Sequence, residues 1–118
     1  MSDQNQNDLR PLRLEEESLV RALLQRVTGG EQLLLQLECA QVRDMDDSGM
    51  GSLQFAGGER RSSGSCLVEA DYLDRDGVPV SIALNVDTNG LLYELDMWKA
   101  DFAPLKEYPD LKRVTIKT

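Results

Sequence analysis

VPVSIALNVDTNGLLYELDMWKADFAPL, residues 78 to 105, sorts its side chains onto two faces. Val78, Val80, Ile82, Leu84 and Val86 alternate with other residues, and Leu91, Tyr93, Leu95 and Met97 do the same after a short break. A period of two is the pattern of half-buried strands. Asn89-Gly90 lies between the runs and matches a two-residue type I′ turn, whose central residues both need φ > 0. The segment therefore predicts a hairpin in which Val86 opposes Tyr93, Leu84 opposes Leu95 and Ile82 opposes Met97. Ser81, Ala83, Asn85, Glu94, Asp96 and Trp98 fall on the other face, which needs no core.

The preceding run, CLVEADYLD (66 to 74), alternates in the same way. A one-residue slip would turn every side chain to the wrong side, so the register can be tested on the pattern itself. A two-residue Asp76-Gly77 turn would set Asp71 against Ile82. A three-residue Arg75-Asp76-Gly77 loop with Gly77 left-handed opposes Tyr72 to Val80, Ala70 to Ile82 and Val68 to Leu84, and is the register predicted here. The free face then carries Glu69, Ala83 and Asp96 in one row, and Asp71, Ser81 and Trp98 in the next. Leu67, Asn85 and Glu94 form a third.

Further out, Leu19, Val20, Leu23, Leu24 and Val27 make one apolar stripe over residues 14 to 28, the signature of an amphipathic helix. Glu15, Glu16 and Glu17 suit its first turn, and Gly29-Gly30 its end. Leu33, Leu35, Leu37 and Cys39 alternate and predict a strand. DMDDSGMG is a turn, and SLQFA closes a hairpin with the strand before it. GGERRSSGS (57 to 65) has no apolar side chain and predicts a loop. VTIKT at the end offers an edge strand. Residues 1 to 8 predict a disordered tail, and residues 9 to 118 one α+β domain: an N-terminal helix on one face of an antiparallel meander of about five strands.

Composition narrows the chemistry. The 118 residues carry 13 Lys and Arg against 21 Asp and Glu, a formal charge of −8. That disfavours nucleic acid and anionic membranes and favours a partner with a basic surface. There is no His, which removes Ser-His and Cys-His nucleophile pairs. No cofactor is expected. Cys39 and Cys66 are too few for a zinc site and read as small buried hydrophobes in a cytoplasmic protein. No apolar run approaches the length of a membrane span.

Two sets of residues are candidates for function. Asp44, Asp46 and Ser48, with Gly49 behind them, follow the opening half of a calcium loop, while Phe55 stands where its closing carboxylate belongs. A turn of Asp, Ser and Gly explains the same residues through local hydrogen bonds. The second set is Glu69, Asp71, Glu94, Asp96 and Trp98 on the free sheet face. Glu69 and Asp96 would lie roughly 10 Å apart at the backbone, with a shallow trough over Ala83 between them. Such a carboxylate pair suits a protein-binding face, or an acid and base acting on water or sugar. Trp98, an interface-enriched residue, favours the first use. Lys99, between Asp96 and Asp101, reads as a surface ion-pair residue.

GMGSL (49 to 53), ELDMWKADFAPL (94 to 105) and RPL…EE…L…LL (10 to 24) together resemble a family of small uncharacterised bacterial domains. Its members carry an N-terminal helix, a DDGGMGSL-like turn and an ELDxWKxDFxPL-like strand. Ser48 stands here where that pattern has Gly. The resemblance spans about residues 9 to 108 and implies no activity or catalytic residue. In size and charge the chain is also similar to small acidic immunity proteins, an analogy of class alone. The expected function is non-enzymatic binding of a basic protein, with toxin inhibition as its most specific version. The alternatives are a divalent-cation site or carboxylate chemistry, and homo-oligomerisation through the open face.

Overall fold

A computed structural model describes residues 9–57 and 62–117. In chain order the elements are β1 (Arg10–Pro11), α1 (Leu14–Leu24), α2 (Glu31–Glu38), β2 (Gln41–Asp44), β3 (Leu53–Phe55), β4 (Ser63–Leu73), β5 (Pro79–Asp87), β6 (Leu92–Lys99), a 3₁₀ turn (Leu111–Arg113) and β7 (Val114–Lys117). The strands form one sheet in the order β1-β2-β3-β6-β5-β4-β7, antiparallel at every pairing. The architecture is α+β, with seven strands among the described residues where the pattern predicts about five. Only β4-β5-β6 is a meander, because the short β3 pairs with β6 and not with β4.

The two central hairpins follow the predicted registers, with Tyr72 opposite Val80, Ala70 opposite Ile82 and Val68 opposite Leu84. On the other side Ile82 opposes Met97 and Leu84 opposes Leu95. Gly77 takes φ +83°, as the three-residue loop requires. The second turn differs from the predicted type I′. Gly90 alone has φ > 0, at +82°; its N–H donates to the Asp87 carbonyl (2.9 Å), and Val86 opposes Leu92. The Asp87 carboxylate accepts from the N–H groups of Asn89 (2.8 Å) and Leu91 (3.0 Å), so the turn is built around Asp87. In β4 a bulge between Cys66 and Val68 sets Cys66, rather than Leu67, opposite Asn85.

The strand predicted over Leu33 to Cys39 is helix α2. Strand pairing would have buried Leu33, Leu35 and Leu37 together. The helix buries Leu33 and Leu37, half-buries Leu34 and leaves Leu35 67% exposed. Leu, Gln and Glu are good helix formers without β-branches, and this propensity decides the segment. Gln36 on α2 then accepts a hydrogen bond from the Leu92 N–H (3.1 Å), tying the helix to the start of β6.

Helix α1 starts without a Ser, Thr, Asp or Asn cap. The Glu16 carboxylate instead accepts the Arg13 N–H (2.8 Å) and both terminal nitrogens of Arg10 (2.9 Å each). The helix ends at Leu24, four residues before the predicted stop, and Gly29 supplies the left-handed turn at φ +79°. Leu19, Val20, Leu23 and Leu24 join Val42, Leu53, Leu84, Leu95 and Met97 in one core. The predicted tail, residues 1 to 8, and part of the predicted loop lie outside the described residues. Ser62 onward is described, and β4 begins at Ser63, three residues before the predicted start.

Candidate functional site

Inward and outward positions alternate over residues 68–73 of β4, 79–86 of β5 and 94–99 of β6. Val80, Ile82, Leu84, Leu95 and Met97 have at most 1% of their surface exposed, whereas Glu69, Asp71, Ser81, Asp96 and Trp98 face solvent. Register sets Glu69, Ala83 and Asp96 in line, and Asp71, Ser81 and Trp98 in the next row. Both rows are as predicted. β7 extends them, with Lys117 opposite Glu69 and Thr115 opposite Asp71.

Together these side chains line a depression of about 340 Å³ that includes Glu69, Asp71, Ser81, Asp96, Trp98 and Lys117. The small side chain of Ala83 leaves room for it between the larger side chains of the rows. Lys117 Nζ lies 3.3 Å from Asp71 Oδ2, with both side chains about half exposed, a pairing that adds little stability. Three carboxylates thus face one ammonium. Glu94 lies one row away, where Asn85 Nδ2 donates to it at 3.3 Å, and does not line the depression. The structure therefore gathers four of the five predicted residues.

Trp98 is 53% exposed and is not isolated. Phe102, 60% exposed, packs beside it with ring centroids 5.3 Å apart and planes inclined at 57°. Phe102 has φ +62°, a conformation unfavourable for a bulky side chain. Its N–H donates to the Lys99 carbonyl (2.9 Å), and the Asp101 carboxylate accepts the Ala103 N–H (3.0 Å), which fixes the turn after β6. A strained backbone thus holds one exposed aromatic ring against another.

The turn is fixed from below by Lys99, and here the sequence reading is corrected. Lys99 is no surface residue: it is fully buried opposite Val80, and its partners are Asp74 and Asp76. Its Nζ lies 2.8 Å from Asp74, 2.7 Å from Asp76 and 3.2 Å from the Pro104 carbonyl. Asp74, also fully buried, accepts in addition the N–H groups of Arg75 (2.7 Å), Lys106 (2.8 Å) and Glu107 (3.2 Å). Burial pushes the Asp74 carboxyl up, but the Lys106 N–H, the Lys99 ammonium and the Arg75 N–H outweigh it and hold it at about 2. Extending the inward period of Leu95 and Met97 by two residues would have found Lys99. A lysine at the end of an apolar alternation does not read as core.

The two family-like motifs meet at this place. Leu105 donates its N–H to the Gly49 carbonyl (3.1 Å), and the Lys99 N–H points at Met50 Sδ (3.2 Å). Ser52, buried, accepts the Met97 N–H (2.8 Å) and donates to the Met97 carbonyl (3.1 Å). A Cβ on Gly51 would lie 3.0 Å from Leu105 Cδ1. GMGSL and WKADFAPL are thus two halves of one packing contact.

Of the calcium-like candidates, Asp44 is engaged by an arginine. Asp44 accepts from Arg10 at 2.8 and 3.3 Å, and that guanidinium holds its carboxyl below the usual range. Asp47 accepts the N–H groups of Met50 (3.1 Å) and Ser52 (2.9 Å), which closes the turn without an ion. Among the described residues no group of three or more acidic, Cys or His side chains converges for a metal. Millimolar calcium, magnesium or manganese is expected to leave the thermal midpoint unchanged; a rise would restore Asp44, Asp46 and Ser48 as ligands. Both cysteines are free and exposed, contrary to their reading as buried hydrophobes. Burial and the Glu69 charge push the Cys66 thiol up, away from the reactive thiolate. Among the described residues no helix is long and apolar enough to cross a membrane.

No curated protein and no solved structure matches this chain. The family described as Domain of unknown function (DUF6984) matches residues 9–109, a span that holds both motifs, the Lys99 centre and the aromatic pair. The chain belongs to that family.

Proposed function

We propose that the outer face of β4, β5 and β6 binds another protein through a basic segment, and that the domain is not an enzyme. The observation that carries this reading is the Trp98–Phe102 pair, kept exposed by a strained turn beside Glu69, Asp71 and Asp96. An exposed tryptophan beside three carboxylates that share one lysine offers flat apolar contact and cation–π attraction together, the combination that suits an arginine or lysine side chain. The formal charge of −8 adds long-range attraction to such a partner. Inhibition of a basic toxin in the manner of immunity proteins is the most specific version of this proposal.

The test is affinity capture with the wild-type chain and with Glu69→Lys/Asp96→Lys, followed by mass spectrometry of what each retains. The wild type is expected to retain a basic protein that the variant loses, while the variant's stability stays within about 1 kcal/mol because both positions face solvent. Equal retention by both folded proteins would refute the reading.

A further inference from the structure

β7 differs from every other part of the outer face in how it is held. The chain before it is anchored as far as Pro109: Asp74 takes the N–H groups of Lys106 and Glu107, Tyr72 Oη donates to the Glu107 carbonyl (3.1 Å), and Pro109 is buried. From Asp110 to Lys117 no residue is buried. The 3₁₀ turn is closed mainly by the Asp110 carboxylate and carbonyl, and only Val114 and Ile116 rest half-buried against the core. β7 pairs with four residues of β4, Glu69 to Tyr72, and its one ion pair among the described residues is the exposed Lys117–Asp71 contact. Anchorage ends where the family match ends, at residue 109.

β7 nevertheless occupies a decisive position. It covers the β4 edge beside the depression, and its Lys117 is the single ammonium among the described residues that line it. Lys117 also lines a second hollow of about 270 Å³ over Cys66, Leu67 and Val68, where the β4 edge continues beyond β7. The chain thus presents to its own acidic face an extended segment with a lysine at the acidic rows.

We propose that β7 is an exchangeable strand: a partner's extended basic segment replaces it on β4 and sets a cationic side chain where Lys117 now lies. Main-chain pairing along β4 supplies the attachment, and the carboxylates of Glu69 and Asp71 select the charge. This rests on the protein-binding reading of the same face and adds the form of the partner, an added β-strand. In the isolated chain β7 closes an edge that would otherwise invite indiscriminate pairing.

Two measurements test it. In native-state hydrogen exchange of the wild-type chain, the amides of Val114 to Lys117 are expected to exchange at least tenfold faster than those of Ile82, Leu84 and Leu95. Equal protection would overturn the proposal, since β7 would then open only with the whole sheet. Second, a synthetic peptide of residues 110 to 118 is titrated into the full chain carrying Val114→Pro and Ile116→Pro, which keep its own β7 off the edge. Saturable binding read from Trp98 fluorescence is expected, at least tenfold weaker for the peptide with Lys117→Glu and for the wild-type chain, whose β7 competes. No binding to the folded variant would overturn it. So would a doubled mass of the wild-type chain by light scattering with β7 swapped, which would put a second copy on the edge. If the peptide binds while Glu69→Lys/Asp96→Lys still captures the native partner, β7 is displaceable but the partner does not take its place, and the proposed exchange falls together with the protein-binding reading of the face.

Discussion

Asp74→Ala is expected to lower the free energy of unfolding by about 3–5 kcal/mol, the range found when one partner of a buried ionic group is removed. Asp74 is fully buried and accepts from Lys99 Nζ and from the N–H groups of Arg75, Lys106 and Glu107. Its loss strands three backbone donors, while the Lys99 ammonium keeps Asp76 and the Pro104 carbonyl. Lys99→Met leaves Asp74 its three N–H donors, so it should be less damaging. The double variant should recover the charge imbalance without recovering the backbone donors, and so remain well below wild type. Urea unfolding of the three variants orders them; a loss under 1 kcal/mol for Asp74→Ala would show that the centre does not organise the fold. Because the folded-state carboxyl sits at about 2, below its ordinary 3.8, its stabilisation is present above about pH 4. It is lost as pH falls through 2, and Asp74→Asn should flatten the acid limb of the stability curve.

Gly51→Ala has the next largest expected effect. Gly51 sits at φ +99°, where a side chain strains the backbone by about 1–3 kcal/mol. The added Cβ would also press on Leu105 Cδ1 at 3.0 Å, with Met97 Cε at 3.7 Å behind it. Leu105 cannot yield freely because its N–H is bonded to Gly49, whose own Cβ position is 3.1 Å from Pro104. The midpoint should fall by roughly 10 °C. Gly77→Ala is the control, since Gly77 has φ +83° with nothing within 4 Å and can lose only the backbone term. Equal losses at Gly51 and Gly77 would mean that the contact between the two motifs carries no weight.

The central hairpins were legible because β-strand alternation and loop length together leave one register in which apolar residues oppose each other. That register carried Glu69, Asp71, Asp96 and Trp98 to one place without any structure. Leu33 to Glu38 was misread because four leucines among six residues satisfy a strand period and a helix stripe alike, and propensity then decides. Lys99 was misread for a chemical reason: a buried ammonium is recognisable only once its carboxylate partners are known, and those lie in the β4–β5 loop. Phe102 and Lys117 reach the outer face through a left-handed turn and an edge pairing, neither of which has a periodic signature.

The outer face is the place proposed for a partner, and Trp98 on it is the chain's single tryptophan. Its fluorescence during titration with the captured basic protein therefore reports on that face alone. The expected result is a blue-shifted emission that saturates with the partner, at an affinity that falls as salt rises and falls at least tenfold in Asp96→Lys. Tight binding with unchanged Trp98 emission and no dependence on salt would contradict it.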